Sequence, residues 1–521
     1  MRHAAALGRE ACVAEHIPYA AHVAPNLVRT RGGDYVLAFR MLGASFESAD
    51  DEELNNWHER LNVTWRNIAV PNVSLWTHVI RRRETVGYEA VPGTGFADQL
   101  AARYQHRLTS ETLMVNEICV SVVYRPVTGA ATGLAAKWLS RRARDTDTGD
   151  LTDALDVCEK LGQTLRASLA RYEPESLGVY VRGHRLHSRL LEFLSVLVNG
   201  EWRPVPLPRA PLNEALATSR LIFGSEVIEY RLPTDTRLGA MLGIKEYPSP
   251  TTVGMLNALL SAPFSFVLTQ SFSFLSKATG QGLLQRQRAR MANAGDFAVS
   301  QAEELVEALD ALTSNEFVMG DHHLTLQVLA DAPRLQSADP EEQRLKRLND
   351  AVALARTLLA DTGMTVARED LALEAAFWAQ LPGNFALRPR KAPITSRNFS
   401  ALAAFHNFPV GRATGNHWGD ALSMFITSAR SPYYFSLHAS DPKDPQGGSR
   451  KDTGHTFICG PTGSGKTVFI GFLVALLARQ GVTQVLFDKD RGLEILVRAL
   501  GGQYLPIRNG EPTGFNPLQL P

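Results

Sequence analysis

Cysteine is scarce in this chain. Four occur in 521 residues, Cys12, Cys119, Cys158 and Cys459, and no two are close enough in sequence for a metal or redox motif. They are too few for a disulfide scaffold, which points to a packed core in a reducing compartment. Long apolar runs are also missing. No stretch approaches the ~20 residues that span a bilayer, and the longest candidate is Val468 to Ala478. The start, Met1-Arg2-His3-Ala4-Ala5-Ala6, lacks the apolar centre of a secretion signal. Excess charge of one sign is absent too. The net charge is +1, and from Lys391 onward 13 Lys and Arg face 8 Asp and Glu, too mild a bias to mark a nucleic-acid binder. There is no internal repeat, no low-complexity tract and no Ser/His/Asp or Cys/His arrangement that stands out from chance.

What remains is the composition of a globular protein, 45% hydrophobic and 21% charged. The length predicts two or three domains. Strand and helix periodicities alternate over residues 1–203, with strands expected at Asp34–Phe46, Val73–Ile80 and Glu117–Tyr124 and helices at Glu53–Ala69, Leu151–Arg171 and His187–Val198. That alternation reads as an N-terminal α/β subdomain. After the proline-rich Pro204–Pro211, a second α/β part runs to residue 390. Phe377–Arg390, with prolines, glycine and basic residues, looks like an inter-domain crossing. From Lys391 to Pro521 the chain turns aromatic and Gly- and Asn-rich, with a strand at Tyr433–Leu437 and a loop at Asp441–Gly448. It then reads strand (Thr456–Cys459), helix, strand (Val482–Phe487), the βαβ unit of a parallel sheet.

Between that first strand and its helix lies Gly460-Pro461-Thr462-Gly463-Ser464-Gly465-Lys466-Thr467, a P-loop pattern. Glycines reach backbone angles that a Cβ forbids, so successive N–H groups can curl around phosphate oxygens. The helix that follows aims its positive end at the same anion, and Gly481 closes it. Lys466 is the candidate catalytic residue, able to bridge the β- and γ-phosphates, and the Thr467 hydroxyl is the candidate Mg²⁺ ligand. Gly460 to Thr467 together form the expected ATP cradle. Asp488, in Asp488-Lys489-Asp490-Arg491-Gly492 after the next strand, is well placed for magnesium, water or a neighbouring subunit, although a helix-capping turn through Asp490 is the plainer alternative. Leu500-Gly501-Gly502-Gln503 reads as a tight turn before a strand at Tyr504–Ile507. His184/His187 and His322/His323 lack companions at ligand spacing. The clusters Arg81-Arg82-Arg83, Arg141-Arg142-Ala143-Arg144 and Arg286-Gln287-Arg288 could bind anionic lipid or nucleic acid, but solvated helix ends and partner contacts are the commoner role of such runs.

These motifs together resemble the CagE/TrbE/VirB family, the large ATPases of type IV secretion and conjugation systems. The resemblance runs through Ile17-Pro18-Tyr19 with His22-Val23, Arg81-Arg82-Arg83, Thr395-Ser396-Arg397-Asn398, Phe405-His406-Asn407, Gly415-Asn416-His417-Trp418-Gly419 and Pro432-Tyr433-Tyr434-Phe435. It is most selective where the P-loop combines with Asp488–Gly492 and with Gly514-Phe515-Asn516-Pro517-Leu518. It implies a mixed α/β N-terminal region followed by a RecA-like, parallel-sheet P-loop NTPase domain. It also implies ATP with Mg²⁺ as cofactor and a homo-oligomer, hexameric in the family. The expected location is the cytoplasmic face of the bacterial inner membrane, beside membrane subunits of the channel, with a role in pilus assembly and substrate transfer.

A RecA-like motor needs several strands after its P-loop, and this chain reaches Pro521 about two strands on. Residues 391–521 are therefore expected to be a partial motor domain, without the family's later acidic strand or arginine finger, and to turn over ATP weakly or not at all alone. Two alternatives stay open at this point: a non-hydrolysing docking or scaffold fragment at the channel, and a related DNA-translocating P-loop motor.

Overall fold

A computed structural model of the chain describes residues 13–86, 93–126, 147–232, 235–294, 299–330, 341–416, 419–438 and 454–512. Arg141, Arg142 and Arg144, the loop Asp441–Gly448, His417-Trp418 and Gly514 to Leu518 lie outside the described residues. By its contacts the chain divides into two compact units. One is Met1–Arg82 with Val115–Pro409, and the other is Arg83–Met114 with Val410–Pro521.

Among the described residues the first unit is built on one 13-stranded sheet. Its strands are β1 (Tyr19–Ala24), β2 (Leu27–Thr30), β3 (Tyr35–Met41), β4 (Val73–Glu84), β5 (Leu113–Tyr124) and β6 (Pro174–Ser176). After the separate hairpin β7 (Val179–Arg182) and β8 (Arg185–Ser188) come β9 (Arg220–Phe223), β10 (Ile228–Arg231), β11 (Thr236–Glu246), β12 (Ser265–Phe274), β13 (Met319–Leu329), β14 (Thr365–Arg368) and β15 (Ala392–Thr395). The main path runs β1-β2-β3-β5-β4-β12-β13-β11-β10-β9. The registers resolved along this sheet are antiparallel, including ten consecutive partners from Ser265↔Leu329 to Phe274↔Gly320.

Strand periodicity explains why both faces are covered. Val36 and Ala38 of β3 enter one apolar cluster, and Tyr35, Leu37, Phe39 and Met41 enter another. The helix Arg189–Asn199 and the short helix Leu373–Trp378 fill the first cluster. The helices Asp51–Asn67 and Ser396–Leu402 cover part of the opposite face, and Glu341–Ala360 covers the part beside β11 and β13. Helix Asp51–Asn67 starts where Asp50 accepts the Glu53 N–H at 2.8 Å, and it buries Trp57, Leu61 and Trp65 at a four-residue spacing. Helix Arg189–Asn199 is capped by Ser188, buried almost throughout, and stopped by Gly200 at φ 69°.

Mixed α/β architecture is present as expected, and β10 pairs antiparallel with β11. Phe377–Arg390 is no exposed crossing at its start, because Phe377, Trp378, Ala379 and Leu381 lie in the core. Arg81 is likewise internal, 1% exposed, with Nε donating to the Ala262 carbonyl at 2.5 Å and Nη1 to Asn116 Oδ1 at 2.8 Å. Arg82 pairs with Glu117 at 3.1 Å and lies over the Trp202 ring. His322 and His323 sit inside the sheet.

In the second unit a hairpin, β16 (Ser423–Ile426) with β17 (Pro432–Phe435), accompanies the helix Phe96–Ser110, the P-loop helix Lys466–Ala478 and the short helix Glu494–Ala499. Strands expected at Thr456–Cys459, Val482–Phe487 and Tyr504–Ile507 are not formed among the described residues. A strand exists only through its pairing, and these apolar segments have no ladder partner there. Phe457, Val485, Phe487 and Ile507 are accordingly exposed.

Candidate functional site

The site is built on the turn into helix Lys466–Ala478. Gly463 and Gly465 adopt φ of 82° and 89°. An added Cβ at either would meet nothing within 4 Å, so glycine is required there for its backbone angle and not for space. At Gly460 a Cβ would lie 2.8 Å from Ser464 Oγ, a contact that rotation of the exposed serine side chain relieves. The Ser464 N–H donates to Pro461 O at 3.3 Å, and the first intrahelical bond runs from Phe469 N–H to Gly465 O at 2.9 Å. Residues Gly460 to Gly465 are exposed, leaving the free N–H groups of the helix start open to an anion.

Lys466 is the first residue of that helix. Its Nζ donates to the carbonyls of Gly460 at 2.7 Å and Pro461 at 2.9 Å, which holds the ammonium across the loop. Carbonyls are weaker partners for an ammonium than phosphate oxygens, so the same geometry suits exchange onto a phosphate. Thr467 is exposed on the first turn.

Asp488, not Asp490, caps the turn that follows. Its Oδ2 accepts from Leu493 N–H at 2.8 Å and from the Tyr504 hydroxyl at 3.3 Å, and Oδ1 accepts from Gly492 N–H at 3.2 Å. The bond from Leu493, with those from Gly492 and Tyr504, holds the carboxyl below the usual carboxylate range. Arg491 takes a left-handed φ of 57° and pairs with Glu494 at 2.6 Å.

This turn abuts the P-loop helix. A Cβ on Gly492 would stand 3.0 Å from Thr467 Cγ2, and one on Gly471 would stand 3.0 Å from Leu496 and 3.4 Å from Leu493. The fold thus brings Lys466, Thr467 and the Asp488 turn together, with the carboxylate engaged by its own turn. Gly501 and Gly502 form the expected turn, their N–H groups returning to Arg498 O and Val497 O.

The other candidates do not join this site. His322 bonds Tyr247 and Gln270, and among the described residues no group of three His, Cys, Asp or Glu could hold a metal. Arg286 and Arg288 are exposed on the helix Lys277–Ala294.

Sequence reasoning missed the helix Phe96–Ser110, which packs on the P-loop helix. Tyr104 lies 4.8 Å from the Phe472 ring, and Phe425 lies 5.2 Å from Phe469. Nothing local in the sequence could have paired residue 104 with residue 472, because their separation is set by tertiary packing alone. The strand Ser423–Ile426 was also overlooked, although its run Met-Phe-Ile was a readable signal.

Three family models match the chain. Residues 26–131 match the N-terminal domain of the type IV secretion system ATPase VirB4/TrbE, residues 175–390 match the CagE, TrbE, VirB family, component of type IV transporter system, and residues 442–521 match the TraG P-loop domain. Among curated relatives, the type IV secretion system protein virB4 of Bartonella quintana is 43% identical over 512 residues, covering 98% of this chain and 62% of the relative. The PtlC homolog of Bordetella bronchiseptica is 40% identical over 531 residues, covering 99% and 62%. The virB4 protein of Brucella suis is 37% identical over 532 residues, covering 100% and 62%. The chain therefore spans 62% of the length of these relatives.

Proposed function

Since the chain belongs to the CagE/TrbE/VirB family of type IV transporter components, we propose that it is the ATP-binding part of a type IV secretion or conjugation ATPase. Mg²⁺-ATP sits in the cradle Gly460–Thr467, with Lys466 on the β- and γ-phosphates and the Thr467 hydroxyl on the metal. The observation that carries this reading is the loop itself: two left-handed glycines, an open helix start and an ammonium held across the mouth. Asp488, whose turn touches Thr467, orders the metal side of the site from its capped position.

In the longer protein, nucleotide turnover powers pilus assembly and substrate transfer. The partners are inner-membrane subunits of the channel and further copies of the same chain, in a hexamer. Among the described residues no helix is long and apolar enough to cross a membrane, which is compatible with peripheral attachment at the cytoplasmic face of the inner membrane. The test is direct titration with Mg²⁺-ATP. The chain binds, and Lys466→Ala lowers affinity by about tenfold or more, the loss of one charge-assisted contact of ~1.5–3 kcal/mol. Equal binding by wild type and Lys466→Ala refutes the assignment.

A further inference from the structure

Lys466–Ala478 carries no charge beyond its first residue and is apolar on every side. A helix of that kind is held by burying its apolar surface, here over Gly471 and Leu473 to Leu476, while Val468 stays exposed. Part of its cover comes from 370 residues earlier in the chain. The helix Phe96–Ser110 is sent out between β4 and β5, which are neighbours in the large sheet.

Two contacts fix the register of the pair. Arg479 Nε meets Asp98 Oδ1 at 2.9 Å, and the Tyr104 ring lies 4.8 Å from that of Phe472. Asp98 pairs with the end of the P-loop helix and Tyr104 with its middle, so the helices run antiparallel. At 1.5 Å per residue this register carries Thr109 and Ser110 to about the level of Lys466 and Thr467.

The contacts are of a kind that holds position. Both partners of the Asp98–Arg479 pair are about three-quarters buried, with side chains 24% and 27% exposed. The Tyr104 hydroxyl donates to Met424 O at 3.1 Å, and its ring also packs on Phe425, which contacts Phe469 and Phe472. The outgoing end of the segment is tied as well. Arg430 bonds Glu111 at 2.7 Å and Thr112 O at 3.1 Å, and Met114 N–H donates to Arg430 O at 2.9 Å.

We propose that Phe96–Ser110 positions the P-loop, with Tyr104 and the Asp98–Arg479 pair as positioning residues that set where Lys466 stands. The helix packs on the P-loop helix through Tyr104 and Asp98, so nucleotide occupancy and the segment 93–114 report on each other by linkage. This rests on the nucleotide-binding reading above. A small displacement of the helix start is enough to misplace Lys466, since sub-ångström placement governs such contacts.

The test uses the full chain, with Mg²⁺-ATP titration and amide hydrogen exchange. Nucleotide slows exchange in residues 96–110 in wild type and leaves it unchanged in Lys466→Ala. Tyr104→Ala weakens nucleotide binding about three- to tenfold, the aromatic contact converted to affinity. Asp98→Arg and Arg479→Asp each weaken binding, and the double exchange restores it. The rescue separates positioning from simple loss of fold. If wild type binds nucleotide but exchange in 96–110 does not respond, or if the single exchanges bind as wild type does, this proposal falls and the functional reading stands. If wild type binds no nucleotide, both fall.

Discussion

Acid should unfold the first unit well before its carboxylates titrate, because four of its histidines are buried as neutral rings. Burial lowers His78 and His406 to about 4. Burial, with repulsion from His323 when that ring is also protonated and from the Arg388 charge, lowers His322 to about 3, and burial with Arg388 and Arg390 lowers His323 to about 3. The hydrogen bonds agree. In His322, Nδ1 faces the Tyr247 hydroxyl at 2.8 Å and Nε2 faces Gln270 Oε1 at 3.2 Å, which a neutral ring satisfies by accepting at one nitrogen and donating at the other. His78 donates through Nε2 to Gln380 O, while Nδ1 of His78 and Nδ1 of His323 have no partner, so a proton there would create a buried donor with no acceptor.

The sign follows from linkage. The unfolded chain takes up protons as pH falls below 6.5, and the folded chain does not until pH approaches 4 or 3. Stability is therefore full above about pH 7 and declines through the window between the unfolded and folded values. At about pH 5.5 each histidine costs slightly over 1 kcal/mol, and the four together roughly 5 kcal/mol. That is comparable with the whole stability of a marginal domain. Urea unfolding followed by tryptophan fluorescence between about pH 7.5 and 5.5 measures it, a range in which unshifted carboxylates stay ionised. A midpoint independent of pH, or resonances of His78, His322, His323 and His406 titrating near 6.5 in the folded protein, would refute the reasoning.

Three further substitutions test other parts of the structure. Gly320→Ala places a methyl within 2.8 Å of three ring carbons of Phe272, which is buried and stacked on Phe399 at 4.6 Å. It should cost about 1–3 kcal/mol by overpacking, read from the urea midpoint, and an unchanged midpoint would contradict that packing. Arg81→Ala removes a buried cation from Ala262 O and Asn116 and should cost about 3 kcal/mol or more, with Arg81→Met milder because its stem still fills the space. Gly465→Ala forces a side chain into φ 89° at an open site, so it should destabilise the helix start by about 1–2 kcal/mol and weaken nucleotide binding. Wild-type binding in that variant would show that the left-handed turn is dispensable.

Much of the candidate site was legible because its chemistry is local. Gly463, Gly465, Lys466 and Thr467 are adjacent, and a turn into a helix needs only their own backbone angles and spacing. The elements of the first unit were legible for the same reason: the apolar stripe of Trp57, Leu61 and Trp65 and the alternation along β3 are properties of short windows. Asp488 shows where local reading reaches its limit. Its place after an apolar run suggested a metal-side acid, but which aspartate caps the turn depends on whose carboxylate meets the N–H groups of Gly492 and Leu493.

Short windows of sequence were enough for the P-loop turn and its helix, for elements such as β3, β4, β5 and the helix Asp51–Asn67, and for the family resemblance. Long-range packing set how those strands pair, that Arg81 and His322 are internal, and that Phe96–Ser110 packs with a helix about 370 residues away. Strand and helix formation follow from windows of a few residues, whereas pairing and burial depend on which distant surfaces remove the most apolar area from water.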